Sequence, residues 1–330
     1  MRFTPIVLAM CAALASVPAS AQEETSKLHG EVAVGSAMPG SFYAKPSGDG
    51  PFPTIILIGG SSGGDGTIRR IAPRFLDEGY AVFGLVYYSP SWFGRPAQFP
   101  SLPAAFDAIP VERVDEARRY ICRQPTSDCE RTGVYGVSKG GEYALLAGAY
   151  LDDFAAIAAI VPSDVVWEGW GPGTRPGENS SFSLAGKPLP FVPYEGMQEA
   201  FAALANGERA RLRLPHDRGR RSSPERTVAA RIPVERIAAP VLVAGGDADD
   251  TWNSGAMAQA IVERRVEAGL PTEGYVFTDA GHGLSGDGSN AEGWYDEAEL
   301  EAQRTIWPAT LRFFARHLKG KVAQPIRSTP

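Results

Sequence analysis

Two kinds of hydrophobic pattern alternate along this chain. Short apolar, β-branched runs read as strands: Glu31 to Val34, Ser41 to Ala44, Thr54 to Ile58, Ala81 to Tyr88, Thr132 to Gly136, Ala155 to Val161, Val241 to Ala244 and Gly274 to Phe277. Between them, helical patterns cover Ile68 to Glu78, Val111 to Cys122, Gly140 to Tyr150, Met197 to Ala205, Ser254 to Ala268 and Ala298 to Leu318. Several strand runs are apolar throughout, as expected where helices cover both faces of a sheet. The alternation predicts a mostly parallel, doubly wound α/β sheet, whose ligands sit beyond the carboxyl ends of its strands.

One stretch breaks the rhythm. Residues from about 163 to 238 connect the sixth and seventh strand runs and are rich in Gly, Pro and Ser. A connection that long is usually functional or disordered. It is read as a cap over the active-site edge, with Trp167, Trp170 and Tyr194 as candidate walls of an apolar acyl or aryl pocket. The plainer reading is that these rings pack the insertion onto the body. The insertion also carries an arginine run: Arg209, Arg211, Arg213, Arg218, Arg220, Arg221, Arg226 and Arg231. Arginine offers a planar fork of donors for anionic substrate groups. A solvated surface loop explains the run more simply.

The chemistry concentrates at Gly136-Val137-Ser138-Lys139-Gly140, which lies between a strand run and a helix run. That context makes Gly-x-Ser-x-Gly a nucleophile elbow, in which a serine stands on a sharp turn at the carboxyl edge of a sheet. A serine hydroxyl needs a base, and the base needs an orienting acid, in the chain order serine, acid, histidine. Of the four histidines, His29 precedes the elbow, His216 sits in the arginine run and His317 ends the last helix. His282 follows the last strand in Asp279-Ala280-Gly281-His282-Gly283 and is assigned as the base. The acid is expected after the penultimate strand, where Asp249 is chosen ahead of Asp250 and Asp247. An oxyanion hole needs backbone N–H donors. Lys139 would supply one, and Ser61 or Ser62, in Gly59-Gly60-Ser61-Ser62-Gly63-Gly64, the other. This chemistry calls for no metal or organic cofactor.

Arg2, the apolar stretch Ile6 to Val17 and Ala19-Ser20-Ala21 read as a secretory signal peptide cleaved after Ala21, implying a secreted or periplasmic protein. Cys11 within it is not in a lipoprotein context, so no stable membrane anchor is expected after cleavage. The net charge of −6 becomes −7 without Arg2, which gives no support for nucleic acid or an anionic membrane as partner. The expected partner is a small molecule with an acyl group that Ser138 can attack. Cys122 and Cys129 are expected to form a local disulfide in an oxidising compartment. Asn179-Ser180-Ser181 matches a glycosylation sequon.

The chain resembles the catalytic domain of the acyl-CoA thioester hydrolase and bile acid-CoA:amino acid N-acyltransferase family, within the α/β-hydrolase superfamily. The similar stretches are Ile58 to Gly64, Tyr80 to Tyr88, Gly133 to Glu142, Lys187-Pro188-Leu189-Pro190 with Val192-Pro193-Tyr194, Ile232 to Ile237, and Gly246 to Ser254. The resemblance implies an α/β-hydrolase fold over residues 22–330, with Ser138, Asp249 and His282 matching nucleophile, acid and base. Serine rather than cysteine at the elbow favours hydrolysis over N-acyl transfer. The family's animal enzymes carry an N-terminal β-sandwich domain, and the residues before the first strand run here do not provide one.

Overall fold

The computed structural model describes residues 27–91, 96–206, 211–290 and 293–320. The leader expected at residues 1–21, with Cys11, lies outside them, as does Arg209. Through the first half of the chain the strands are β1 (Val32–Ala33), β2 (Phe42–Ala44), β3 (Phe52–Ile58), β4 (Ala81–Leu85), β5 (Ile109–Pro110) and β6 (Ser127–Val137). They continue with β7 (Ala156–Ile160), β8 (Phe182–Leu184), β9 (Lys187–Pro188), β10 (Val241–Gly246) and β11 (Thr272–Phe277). The helices are α1 (Gly66–Asp77), α2 (Arg113–Cys122), α3 (Lys139–Tyr150), α4 (Met197–Ala205), α5 (Arg213–Ser222), α6 (Pro224–Ala229), α7 (Ser254–Glu267) and α8 (Glu297–Leu318).

Strands that are apolar on both faces are stable only when both faces are covered. Eight strands, with the fully buried β4, β7 and β10 among them, form one sheet in the order β1-β2-β4-β3-β6-β7-β10-β11. β2 runs antiparallel to β1 and β4, and the remaining pairs are parallel. Each of the eight strand runs expected from the sequence falls on one strand of this sheet. The period of two along β3 divides its side chains between the faces. Ile56 and Ile58 join a core with Val114 and Ile121 of α2, Leu145 of α3 and Ile261 of α7. Ile55 and Leu57 join a second core with Ile71 and Phe75 of α1 and Phe313 of α8. The expected doubly wound arrangement is therefore present. A disulfide joins Cys122, the last residue of α2, to Cys129 on β6, with the Cα atoms 4.7 Å apart.

The insertion between β7 and β10 has its own structure. β8 pairs with β5 and β9 in a small second sheet, and α4, α5 and α6 follow. The described part of the arginine run is thus mostly helical. Its described residues lie largely on α5 and α6, and α5 buries Pro215, His216 and Gly219. A buried face made of a proline, a histidine and a glycine has no apolar period, which is why the sequence pattern does not reveal this helix.

The chain leaves the insertion under the control of one buried cation. Arg265 of α7 is fully buried. Its Nε donates to Thr272 Oγ1 at 3.0 Å. Its Nη1 donates to the carbonyls of Val234 and Ile237 at 2.7 and 2.9 Å, and its Nη2 to those of Ala239 and Pro271 at 2.9 and 3.1 Å. Burial pushes the guanidinium down to about 10, so it stays charged at neutral pH. All five donors meet neutral oxygens, and these tie the 234–239 segment to the starts of β10 and β11. Arg265→Met strands several of those carbonyls in the interior, and should cost about 3 kcal/mol or more of unfolding free energy in urea titrations. Arg265→Lys, with three donors, should recover only part of it. A loss below about 1 kcal/mol for Arg265→Met would show that the clamp contributes little.

Candidate active site

Ser138 sits where β6 turns into α3, with φ 58° and ψ −123°. Left-handed φ is rare for a residue with a side chain, and holding it costs on the order of 1–3 kcal/mol. The turn is possible because its flanks are glycines. A Cβ on Gly136 would lie 2.0 Å from the Gly140 carbonyl oxygen, and one on Gly140 would lie 2.3 Å from that of Ile58. Ser138 N–H donates to the Ile160 carbonyl of β7 at 2.8 Å, which fastens the turn to the next strand.

Two loops at the same sheet edge meet the serine. Ser138 Oγ lies 2.9 Å from His282 Nε2, and His282 Nδ1 lies 2.7 Å from Asp249 Oδ2. Asp249 is fully buried and also accepts from Ser254 Oγ at 2.6 Å and Thr251 N at 2.8 Å. Burial alone would raise its carboxyl. The electrostatic attraction and hydrogen bond of His282, with the Ser254 and Thr251 donors, outweigh that and hold it below its usual range. An ionised carboxylate only accepts, so Nδ1 carries the ring proton and Nε2 is left to accept from the serine. Of the three competing aspartates, Asp249 is the one whose carboxylate meets the histidine. Asp250 and Asp247 shape the turn, and their carbonyls accept from Arg213 at 2.8 and 2.7 Å.

Opposite the serine, the 59–64 loop passes close by. A Cβ on Gly60 would come within 3.2 Å of Ser138 Cβ, with Ser61 and Ser62 following directly. Lys139 is the first residue of α3, so its N–H has no partner within the helix. The sequence reading of Lys139 stops at that N–H. Its side chain turns inward, and Nζ lies 2.8 and 2.7 Å from the Glu142 carboxylate and 2.9 Å from Ser181 Oγ. The ammonium also lies 5.0 and 4.9 Å from the ring centres of Phe106 and Phe182. Glu142 accepts from Trp167 N at 3.3 Å. Burial works against both charges, pushing Glu142 up and Lys139 down, while their mutual attraction opposes it. The one clue in the sequence is a Lys-x-x-Glu spacing inside an otherwise apolar helix start.

The aromatics expected to wall a pocket pack differently. Trp170 stacks on Phe106 in the main core, and Trp167 is fully buried in a smaller core with Val165, Val192 and Trp252. Tyr194 is half-buried and stacks on Trp167. These contacts join the insertion to the body. His216 lies among Trp167, Tyr194 and Trp252, with centroids 4.5, 4.9 and 5.6 Å away. Trp252 in turn meets the His282 ring edge-on at 5.6 Å. Elsewhere, His29 bonds Ser47 and His317 packs on Phe313. The sequon asparagine, Asn179, has its amide bound to Asp107. Among the described residues no metal-ligand cluster forms and no helix is long and apolar enough to cross a membrane.

Comparison with known proteins fits this geometry. The family model described as BAAT / Acyl-CoA thioester hydrolase C terminal matches residues 109–286, more than half of the chain. Acyl-coenzyme A thioesterase 6 of Mus musculus is 25% identical over 292 residues, covering 84% of this chain and 62% of the relative. The chain thus spans about three-fifths of the length of that relative. A protein assigned as a dienelactone hydrolase from Klebsiella pneumoniae superposes with a TM-score of 0.53 at 18% identity, over 84% of this chain and 92% of that one. MGS-M1, an alpha/beta hydrolase enzyme from a deep-sea metagenome library, gives 0.51 at 16% identity, over 85% and 94%. These likenesses establish the α/β-hydrolase fold.

Two measurements probe the buried charges. Glu142→Gln leaves an ammonium without its counter-charge and should cost about 3–5 kcal/mol in urea unfolding. The double variant Lys139→Met/Glu142→Met should be less destabilised than the sum of its singles by about 2 kcal/mol; additive costs would mean the pair is not coupled. His216 titrates in the opposite sense to a stabilised cation. Burial pushes it from 6.5 down to about 4, against the pull of the Leu212 carbonyl. The unfolded chain therefore takes up this proton below pH 6.5 while the fold resists until about 4. Stability present above pH 6.5 should be lost as pH falls through that window, by roughly 3 kcal/mol in total. His216→Gln, which stays neutral, should flatten that part of the profile. Parallel parent and variant profiles would contradict it.

Proposed function

Because the chain belongs to the BAAT / acyl-CoA thioester hydrolase C-terminal family, we propose that it is a serine hydrolase of acyl thioesters or carboxylic esters. The observation that carries this reading is the continuous path Ser138 Oγ–His282 Nε2–Asp249, at 2.9 and 2.7 Å. Nε2 takes the hydroxyl proton as Oγ attacks the acyl carbonyl carbon. The C=O π bond becomes an oxyanion, and Asp249 stabilises the imidazolium. Collapse breaks the bond to the leaving oxygen or sulfur, which receives the proton from His282. Water, deprotonated by the same nitrogen, then attacks the acyl-enzyme, and release of the acid restores Ser138.

In this reading the N–H groups of Lys139 and of the Ser61-Ser62 turn hold the oxyanion. Each donor is worth roughly 3 kcal/mol in the transition state. The orphan N–H at the start of α3 and the approach of Gly60 to Ser138 support that assignment. We also place the protein outside the cytoplasm, secreted or periplasmic. The Arg2-to-Ala21 segment and the Cys122–Cys129 bond support this, since disulfides persist in oxidising compartments.

The test is kcat/KM on one acyl group presented as an oxygen ester, a simple thioester and an acyl-CoA. Ser138→Ala should lose at least about a thousandfold on every form. A fluorophosphonate should label Ser138; an unlabelled, inactive protein would instead be a ligand-binding relative. Preference for acyl-CoA by tenfold, about 1.4 kcal/mol, would identify a coenzyme A leaving group. Preference for the oxygen ester would identify an exported carboxylesterase. Product partitioning toward added amines or alcohols would identify acyl transfer.

A further inference from the structure

We propose that Arg213, at the start of helix α5 in the insertion, is a positioning residue that fixes the turn carrying Asp249. The inference rests on the reading of Asp249 as the acid of the proposed reaction. The turn at 247–250 leaves β10 and must hold one carboxylate against one ring nitrogen, and a displacement of about 1 Å is enough to cost a hundredfold in rate. On its inner side the carboxylate is fixed by Ser254 Oγ and by the Thr251 and Trp252 N–H groups. The backbone N–H groups of Asp247 and Ala248 donate to the Phe277 and Ala280 carbonyls at 3.0 and 3.2 Å, and three of the turn's carbonyls are met by Arg213. Arg213 N–H donates to the Asp250 carbonyl at 2.8 Å. Its Nη1 donates to the carbonyl of Asp247 at 2.7 Å and reaches that of Asp249 at 3.4 Å. Its Nε faces Asp217, one helical turn on, at 3.5 Å.

The helix that supplies this grip is itself fixed. Gly219 approaches the Pro193 carbonyl so closely that a Cβ would lie 1.9 Å from the oxygen. Arg220 pairs with Asp164 and lies over Trp167. One turn beyond Arg213, His216 packs on Trp252, which packs on His282. The same face of α5 thus reaches the acid through Arg213 and the base through His216. A guanidinium held by the carbonyls of Asp247 and Asp249 and by the Asp217 carboxylate is not available to an anionic substrate, so this member of the arginine run acts on the acid turn.

The test compares Arg213→Gln, Arg213→Lys and, as an exposed neighbour on the same helix, Arg221→Gln. The first readout is the downfield proton resonance of the His282 Nδ1–H in the hydrogen bond to Asp249, which needs no turnover. The second is kcat and KM on 4-nitrophenyl butyrate, with the thermal unfolding midpoint measured alongside. Arg213→Gln should broaden or lose the resonance and drop kcat at least tenfold, with KM within twofold and the midpoint close to the parent's. Arg213→Lys should restore part of both, and Arg221→Gln should match the parent. A retained resonance with kcat within twofold in Arg213→Gln overturns the proposal. So does a loss that follows a lowered midpoint and is not rescued by lysine. If the parent shows the resonance but turns over no ester, the hydrolase reading fails, and the response of the resonance to Arg213→Gln still decides the positioning role.

Discussion

The site depends on a crossing of backbones. β6 must turn into α3 within the space left by Gly136 and Gly140, and the turn forces Ser138 into a left-handed conformation. Such strain persists only where the surroundings over-determine it. Three contacts do so here. Ser138 N–H is held by β7, the α3 backbone lies against the end of β3, and the Lys139–Glu142 pair locks the first turn of α3 from below. That pair lies wholly inside the protein, so it is weak evidence for net stability and stronger evidence for a fixed geometry. Its outer hydrogen bonds go to Ser181 and to the Trp167 backbone, both in the insertion.

The insertion is therefore tied to the Ser138 turn from one side and, through α5, to the Asp249 turn from the other. It leaves the sheet at the end of β7, beside Ser138, and returns at β10, whose far end leads to Asp249. A segment bound at both places is part of the frame of the site. Val161, at the exit, takes a φ of 45°, unusual for a β-branched residue, and its carbonyl accepts from Trp252 Nε1. Two residues with left-handed backbone thus stand at adjacent strand ends, one carrying the hydroxyl and the other opening the insertion.

The sheet and the elbow were legible because their signals are local. Apolar runs of strand length mark β3, β6 and β10. Gly-x-Ser-x-Gly between a strand and a helix marks Ser138, and the loops after the last two strands mark Asp249 and His282. What stayed hidden depends on contacts distant in sequence. Helix α5 buries Pro215, His216 and Gly219, a face without hydrophobic period, so its arginines read as a solvated loop. Trp167 and Trp170 carry the same sequence signal whether they wall a pocket or fill a core, and only their burial separates the two. The inward turn of the Lys139 side chain follows from Glu142, Ser181 and two phenylalanine rings that the sequence does not bring together.

Arg265 differs in kind from the other buried charges. Lys139 faces a carboxylate, and the His282–Asp249 contact is ionic whenever the ring is protonated. Arg265 is satisfied by four carbonyl oxygens and a hydroxyl, as a coordinated cation would be. Dissolved ions weaken attractions between exposed opposite charges and act far less on a charge sealed among dipoles. The knot that closes the insertion onto the sheet is accordingly far less sensitive to salinity than a surface ion pair, a useful property in a chain that we propose works outside the cell, where ionic strength is set by the surroundings.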